Sequence, residues 1–261
     1  MVCFTSFGQK KINEQAIRNV EEGKKLYKSE MASWYGSDLF LGKFSHKADK
    51  AGGYVSYTIN DVSTCIFFSK GDNPTVLCTI NFDQSYNIRT ANVDSIERQL
   101  SPLESELVAI RKIAKSEIGK DTLFKTYSNT SLNLIPIVEN GEKKVFVLTG
   151  PKKDGIVIFG NDYLLTFDKD NKLLTKKNLH KNIIMINYTN ESGSSTMHSH
   201  LPETGDLITS TDICTLMLYE KFAKWKQHYV ISKNYVSVWT CETNELLTIS
   251  MKDWKKMSKI K

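Results

Sequence analysis

Two of the five histidines, His198 and His200, stand one residue apart in the stretch 196–212, T-M-H-S-H-L-P-E-T-G-D-L-I-T-S-T-D. Alternate residues of a strand share a face, so a strand here aims both imidazoles at one point. Asp212 follows twelve residues after His200, and Pro202 and Gly205 between them are turn residues that can fold it back as a third ligand. Two histidines, one carboxylate and a vacant fourth position make a hydrolytic zinc geometry. The same residues have a plainer explanation. Thr209 with Asp212 three residues on is an N-cap with an acid at N3, and H-x-H on a polar strand needs no metal.

The chain of 261 residues suits one large or two modest domains. Its 40% hydrophobic and 25% charged content is that of an ordinary globular protein. No apolar run approaches the ~20 residues that span a bilayer. Of the formal charge of +6, the last eleven residues (251–261) hold +4, through five lysines against Asp253. The excess is a basic tail, not a nucleic-acid-binding face. Residues 1–9 resemble the end of a secretory leader, with Ser6 and Gly8 at the −3 and −1 positions of a cut before Gln9. That reading puts export, periplasmic or secreted, ahead of a cytoplasmic location. Of the five cysteines Cys3 would leave with the leader; Cys65 and Cys78 fall in neighbouring predicted strands and can pair, although the four remaining cysteines allow three connectivities. None has C-x-x-C spacing.

The elements that must position the histidines follow from periodicity and turn chemistry. Residues 10–33 read as a helix broken at Tyr35-Gly36. Runs 53–60, 64–69 and 75–82 are joined by short polar turns, which predicts an antiparallel meander. Ser101, Pro102 and Glu104 open a second helix as N-cap, N1 and N3, and Gly119 ends it. Residues 10–128 thus read as an α+β module of unassigned role. Beyond it, 131–138 and 144–148 flank Asn140-Gly141, a hairpin signal. Further strands are expected at 155–159, 163–167, 182–188 and 196–200, a helix at 211–227, and strands at 228–232, 236–241 and 246–250.

That order, with His198-Ser199-His200-Leu201-Pro202 followed by Thr209-Ser210-Thr211-Asp212 at a helix start, resembles the JAB/JAMM zinc metalloproteases. The family signature is an upstream Glu, then H-x-H-P, a spacer and S-x-x-D. Leu201 makes the His-to-Asp spacing one residue longer than in that signature. The resemblance covers residues 129–250 and implies a mixed sheet flanked by helices, distantly related to cytidine deaminases. It further implies zinc on His198, His200 and Asp212, with a metal-bound water attacking an amide or isopeptide bond in a peptide or protein substrate. The family serine falls on Thr209, or on Ser210 if the helix start slips, and would stabilise the oxyanion. The family Glu would be Glu142, 56 residues before His198, or Glu139. Both lie beside a predicted turn, where a solvated carboxylate is the default. His180 ends a basic run with Lys176, Lys177 and Lys181 and could approach the site, although a polar loop is its commoner role; His228 opens a strand and reads as structural.

Two functions remain open. One is a zinc hydrolase of the JAMM type; the other is an inactive binding or structural protein on the same scaffold. A deaminase is disfavoured because the H-x-E…C-x-x-C pattern is missing. Oligomeric state is left open.

Overall fold

The computed structural model describes residues 3–189 and 193–257, with side chains from residue 10 onward. The fold is mixed α+β, with largely antiparallel sheets and four α-helices among the described residues. None of these helices is long and apolar enough to cross a membrane. Of the stretch 1–9, Met1 and Val2 lie outside the described residues and the rest is described only as helical backbone.

Helix α1 (Cys3–Phe44) runs straight through the expected break at Tyr35-Gly36. Burial on both sides of that pair explains why. Met31, Ala32, Leu39 and Phe40 pack on the first sheet, and the Phe40 ring stacks on Phe67 at 3.9 Å. The earlier turns serve other partners. Leu26 packs with Ile135, Phe146 and Cys214, while Val20 and Tyr27 lie against the core around Ile213 and Trp239. One helix therefore contributes to several cores.

The first sheet is the expected meander, β1 (Ala51–Ile59), β2 (Val62–Ser69) and β3 (Thr75–Phe82), edged by short β4 (Asn92–Asp94) and β5 (Arg98–Gln99). Cys65 stands opposite Ile80 and Cys78 opposite Phe67. The two are thus out of register, and the expected pairing is not made: both remain free buried thiols. Helix α2 (Pro102–Ile118) has the full capping box of Ser101 and Glu104.

Strands β6 (Thr130–Glu139) and β7 (Glu142–Pro151) form the hairpin across Asn140-Gly141, both with positive φ. They join β9 (Tyr163–Phe167) and β10 (Leu173–Asn178) in one sheet, while β8 (Ile156–Gly160) pairs with β11 (Ile183–Asn187). The last sheet holds β12 (Ser195–Ser199), β13 (Gln227–Ile231), β14 (Tyr235–Thr240) and β15 (Glu245–Ser250) in that order. Within it β12 and β13 are parallel, and helix α3 (Ser210–Ala223) makes the crossover. Helix α3 stops short of the expected residue 227 because Lys224 adopts a left-handed conformation. The basic tail begins as a short helix, α4 (Met251–Met257), capped by Ser250 and Asp253; residues 258–261 lie outside the described residues.

Candidate metal centre

Strand β12 points His198 inward, at 6% exposure, and His200 follows directly at 7%. The backbone N–H of His200 donates to Ile231 O at 2.9 Å, so the parallel pairing continues one residue past the strand and fixes the second ring. Asp212 comes from the opposite side, in the first turn of α3. The Thr209 N–H and hydroxyl both donate to Asp212 Oδ2, at 2.9 and 2.7 Å. The cap expected as a plain explanation of these residues is therefore real. It also does something further, because it occupies one carboxylate oxygen and turns the other inward.

That inner oxygen, Asp212 Oδ1, is buried and accepts no hydrogen bond. His198 Nε2 lies 3.6 Å from it, and His200 Nε2 lies 3.1 Å from both His198 Nε2 and Asp212 Oδ2. Donors at 2.0–2.1 Å from a tetrahedral zinc stand about 3.3 Å apart. The two imidazoles thus stand at the spacing of two ligands of one zinc, and Asp212 lies beside both, with a different oxygen next to each ring. His180 closes the group. His180, His200 and Asp212 each offer an atom within 4.8 Å of the others and could hold a metal ion. His180 Nε2 is 3.5 Å from Asp212 Oδ1, and its Nδ1 is 3.5 Å from Asp162 Oδ2. Neither nitrogen of His180 has a hydrogen-bond partner, nor has His200 Nδ1. Unpaired buried polar atoms are costly, and a cation beside Asp212 would engage two of them, Asp212 Oδ1 and His180 Nε2.

The electrostatics agree with this arrangement. Burial works to raise the Asp212 pKa, but the three surrounding imidazoles outweigh it and hold the carboxyl well below its ordinary range. Burial works against a charge on His180, yet Asp212 and Asp162 together lift it to about 10. Burial pushes His198 down to about 4 and His228 to about 3, so those rings are neutral and keep a lone pair.

Asp162 and His228 are the residues that sequence reasoning missed; His180 was expected to be able to approach the site, but as a polar loop residue first. Asp162 sits in Gly160-Asn161-Asp162, which reads as an exposed turn. In the structure Asn161 and Asp162 are 2% and 3% exposed. Gly160, at φ +80°, lies so close to Asn182 that an added Cβ would stand 2.2 Å from its carbonyl oxygen. The turn is held from inside: Asn161 Nδ2 donates to Lys125 O and Thr149 Oγ1, Tyr163 donates to Asn161 Oδ1, and Thr149 N donates to Asp162 Oδ1. A usable signal was the clustering of four of the five histidines between 180 and 228.

The proposed acids are elsewhere. Glu139 and Glu142 flank the exposed β6–β7 turn, where Glu139 pairs with Lys25 and Glu142 pairs with Lys144 at 2.6 Å. Glu142 opens β7 and Thr149 lies seven residues further on beside Asp162, a strand distance of roughly 23 Å. The structure therefore does not bring either glutamate to the histidines. Thr209 touches the group, but its hydroxyl hydrogen is committed to Asp212; Ser210 is buried in the first turn of α3.

Searches against protein-family models, curated proteins and solved structures found no match to this chain.

Proposed function

We propose that the protein is a zinc-dependent hydrolase of amide or isopeptide bonds, on a JAB/JAMM-like β-α-β scaffold. In this reading His198, His200 and Asp212 hold the ion. The observation that carries it is the inner oxygen of Asp212, buried without a hydrogen bond and faced by His180 Nε2 at 3.5 Å and His198 Nε2 at 3.6 Å, with His200 Nε2 at 3.1 Å from the other oxygen. When bound, the ion supplies Lewis acidity and a water of lowered pKa.

The chain's own residues do the rest. Thr209 orients Asp212 through two hydrogen bonds. His180 stands beside the ligand set with Asp162 behind it; a cation on Asp212 would displace the proton that the two carboxylates hold on His180 in metal-free protein, leaving a neutral imidazole that can take up a proton beside Asp162. This pair occupies the role that the family gives to a glutamate.

A second reading has its own observation in favour. The ligand atoms of His180, His200 and Asp212 all lie within 4.8 Å of one another, and together with His198 they would make four donors, as in structural zinc centres. The protein would then be a binding or structural one.

One experiment separates the readings. Protein purified with zinc is assayed for metal content and for cleavage of peptides and isopeptide-linked conjugates, as wild type, His200→Ala and His180→Ala. The hydrolase reading expects about one zinc per chain, loss of metal in His200→Ala, and retained metal without turnover in His180→Ala. Loss of metal from His180→Ala together with no cleavage by wild type establishes the closed site instead. Wild type that takes up no zinc refutes both.

A further inference from the structure

His228 has no counterpart in the H-x-H…S-x-x-D pattern, yet it is completely buried behind the ligand set. The parallel register of β12 and β13 places it beside Thr196, with His198 beside Val230. His198 Nδ1 lies 2.8 Å from His228 Nε2, and His228 Nδ1 lies 2.7 Å from Thr196 Oγ1. The His228 ring is stacked on Phe159 at 4.8 Å and on Trp225 at 5.9 Å, which fixes its plane.

We infer that His228 is a positioning residue that locks His198 in the tautomer whose Nε2 lone pair faces the metal, by accepting its Nδ1–H and passing its own Nδ1–H to Thr196. The inference rests on the metal-binding part of the reading above. A neutral imidazole carries one N–H. If His198 Nε2 is a ligand, the proton must sit on Nδ1, where it needs an acceptor away from water. His228 Nε2 is that acceptor, which leaves the His228 proton on Nδ1 and the Thr196 oxygen to receive it. Every hydrogen bond in the chain His198–His228–Thr196 is then satisfied in one direction. Outer partners of metal-bound histidines are commonly carboxylates or carbonyls. An imidazole gives the same orientation without adding a further negative charge beside Asp212 and Asp162.

If His228 only packs, the direction of this chain and the metal affinity should not depend on its nitrogens. The test uses the full chain with zinc alone. Zinc affinity is measured by competition with a chromophoric chelator for wild type, His228→Phe, His228→Gln and Thr196→Val. The protonation site of each imidazole in zinc-loaded wild type is read from long-range proton–nitrogen NMR correlations. His228→Phe keeps a stacked ring without nitrogens and is expected to weaken zinc by about 10–100-fold. His228→Gln, whose amide oxygen can accept from His198, should recover part of that loss, and Thr196→Val should lose less than His228→Phe. Loaded wild type should carry its protons on Nδ1 of both His198 and His228. A folded His228→Phe that binds zinc within about twofold of wild type overturns the inference, as does a proton on Nε2 of His228 in the loaded protein. Should His228→Phe not fold, Thr196→Val and the tautomer assignment decide. Wild type that binds no zinc overturns the metal reading and the relay with it, a result that needs no variant and so is distinct from failure of the relay alone.

Discussion

His180 stands between two buried carboxylates, with Nδ1 at 3.5 Å from Asp162 Oδ2 and Nε2 at 3.5 Å from Asp212 Oδ1. A cationic imidazole there neutralises charge that would otherwise be stranded in the core. In metal-free protein the folded pKa of about 10 lies above the ordinary 6.5. A raised histidine pKa stabilises fully below the unfolded value and loses that contribution as pH rises through the folded one. Metal-free wild type should therefore lose stability between about pH 6.5 and 10. Asp162→Asn should lower the His180 pKa and shrink that loss. Urea unfolding in chelator across this range, with the His180 titration followed by NMR, checks both. An unshifted His180 in Asp162→Asn would refute the pairing.

Glu139→Gln and Glu142→Gln should leave zinc content unchanged and alter stability by no more than about 0.5 kcal/mol. Both carboxylates are exposed partners of surface lysines on the β6–β7 turn. Lys144 holds the Glu142 pKa below its ordinary value, which is the behaviour of a solvated ion pair. Metal analysis and thermal unfolding of the two variants suffice; a drop in bound zinc in either would mean that the turn reaches the site after all.

The contrast between these glutamates and Asp162 shows what was legible in the sequence. Local chemistry read well. The capping boxes at Ser101 and Thr209, the Asn140-Gly141 hairpin and the H-x-H strand all depend on neighbours a few residues away. The grouping of His198, His200 and Asp212 was also legible, because a turn and a helix start sit between them. What was not legible depends on chain-distant packing. Asp162 looks like a turn residue until Thr149, Lys125 and Asn182 enclose its turn. His228 looks like the start of a strand until β13 pairs in parallel with β12. Helix α1 runs past its apparent break because β2 and β3 bury its far end, and no periodicity within α1 records that.

Gly23 is where α1 meets α3. A Cβ built there would lie 2.7 Å from Ile213 Cβ and Cγ2 and 2.9 Å from Ser210 O. Those two residues flank the Thr211-Asp212 pair in the first turn of α3. Gly23→Ala must therefore push α3 away or bend α1. Overpacking of this kind costs about 1–3 kcal/mol, and the displaced turn carries Asp212 with it. Gly23→Ala is expected to lower both thermal stability and zinc affinity. Gly42→Ala, where an added Cβ meets nothing within 4 Å, should leave zinc affinity unchanged and raise stability by about 0.4–1 kcal/mol through helix propensity. Melting curves and chelator competition on the pair test the coupling, and a Gly23→Ala protein with wild-type zinc affinity would refute it.

Glu30 offers a pH effect separate from the candidate metal centre. It lies on the part of α1 that crosses β6, where Asn133 Nδ2 donates to its Oε2 at 3.2 Å. Burial raises its pKa from 4.5 to about 7, against the opposing pull of Asn133 and of the Arg111 charge. The sign is the reverse of the His180 case. The folded protein holds this proton more tightly than the unfolded chain, so stability falls as pH rises from about 4.5 to about 7 and stays low above that. Glu30→Gln keeps the shape and the acceptor for Asn133 but has no charge to desolvate. It should match wild type near pH 4.5 and be the more stable protein near pH 8, with the gap opening across the interval between the two pKa values. Urea midpoints of both proteins at the two pH values, in chelator so that metal binding does not contribute, measure that gap. Parallel pH profiles for the two proteins would show that Glu30 is ionised at no cost and that Arg111 compensates its burial in full.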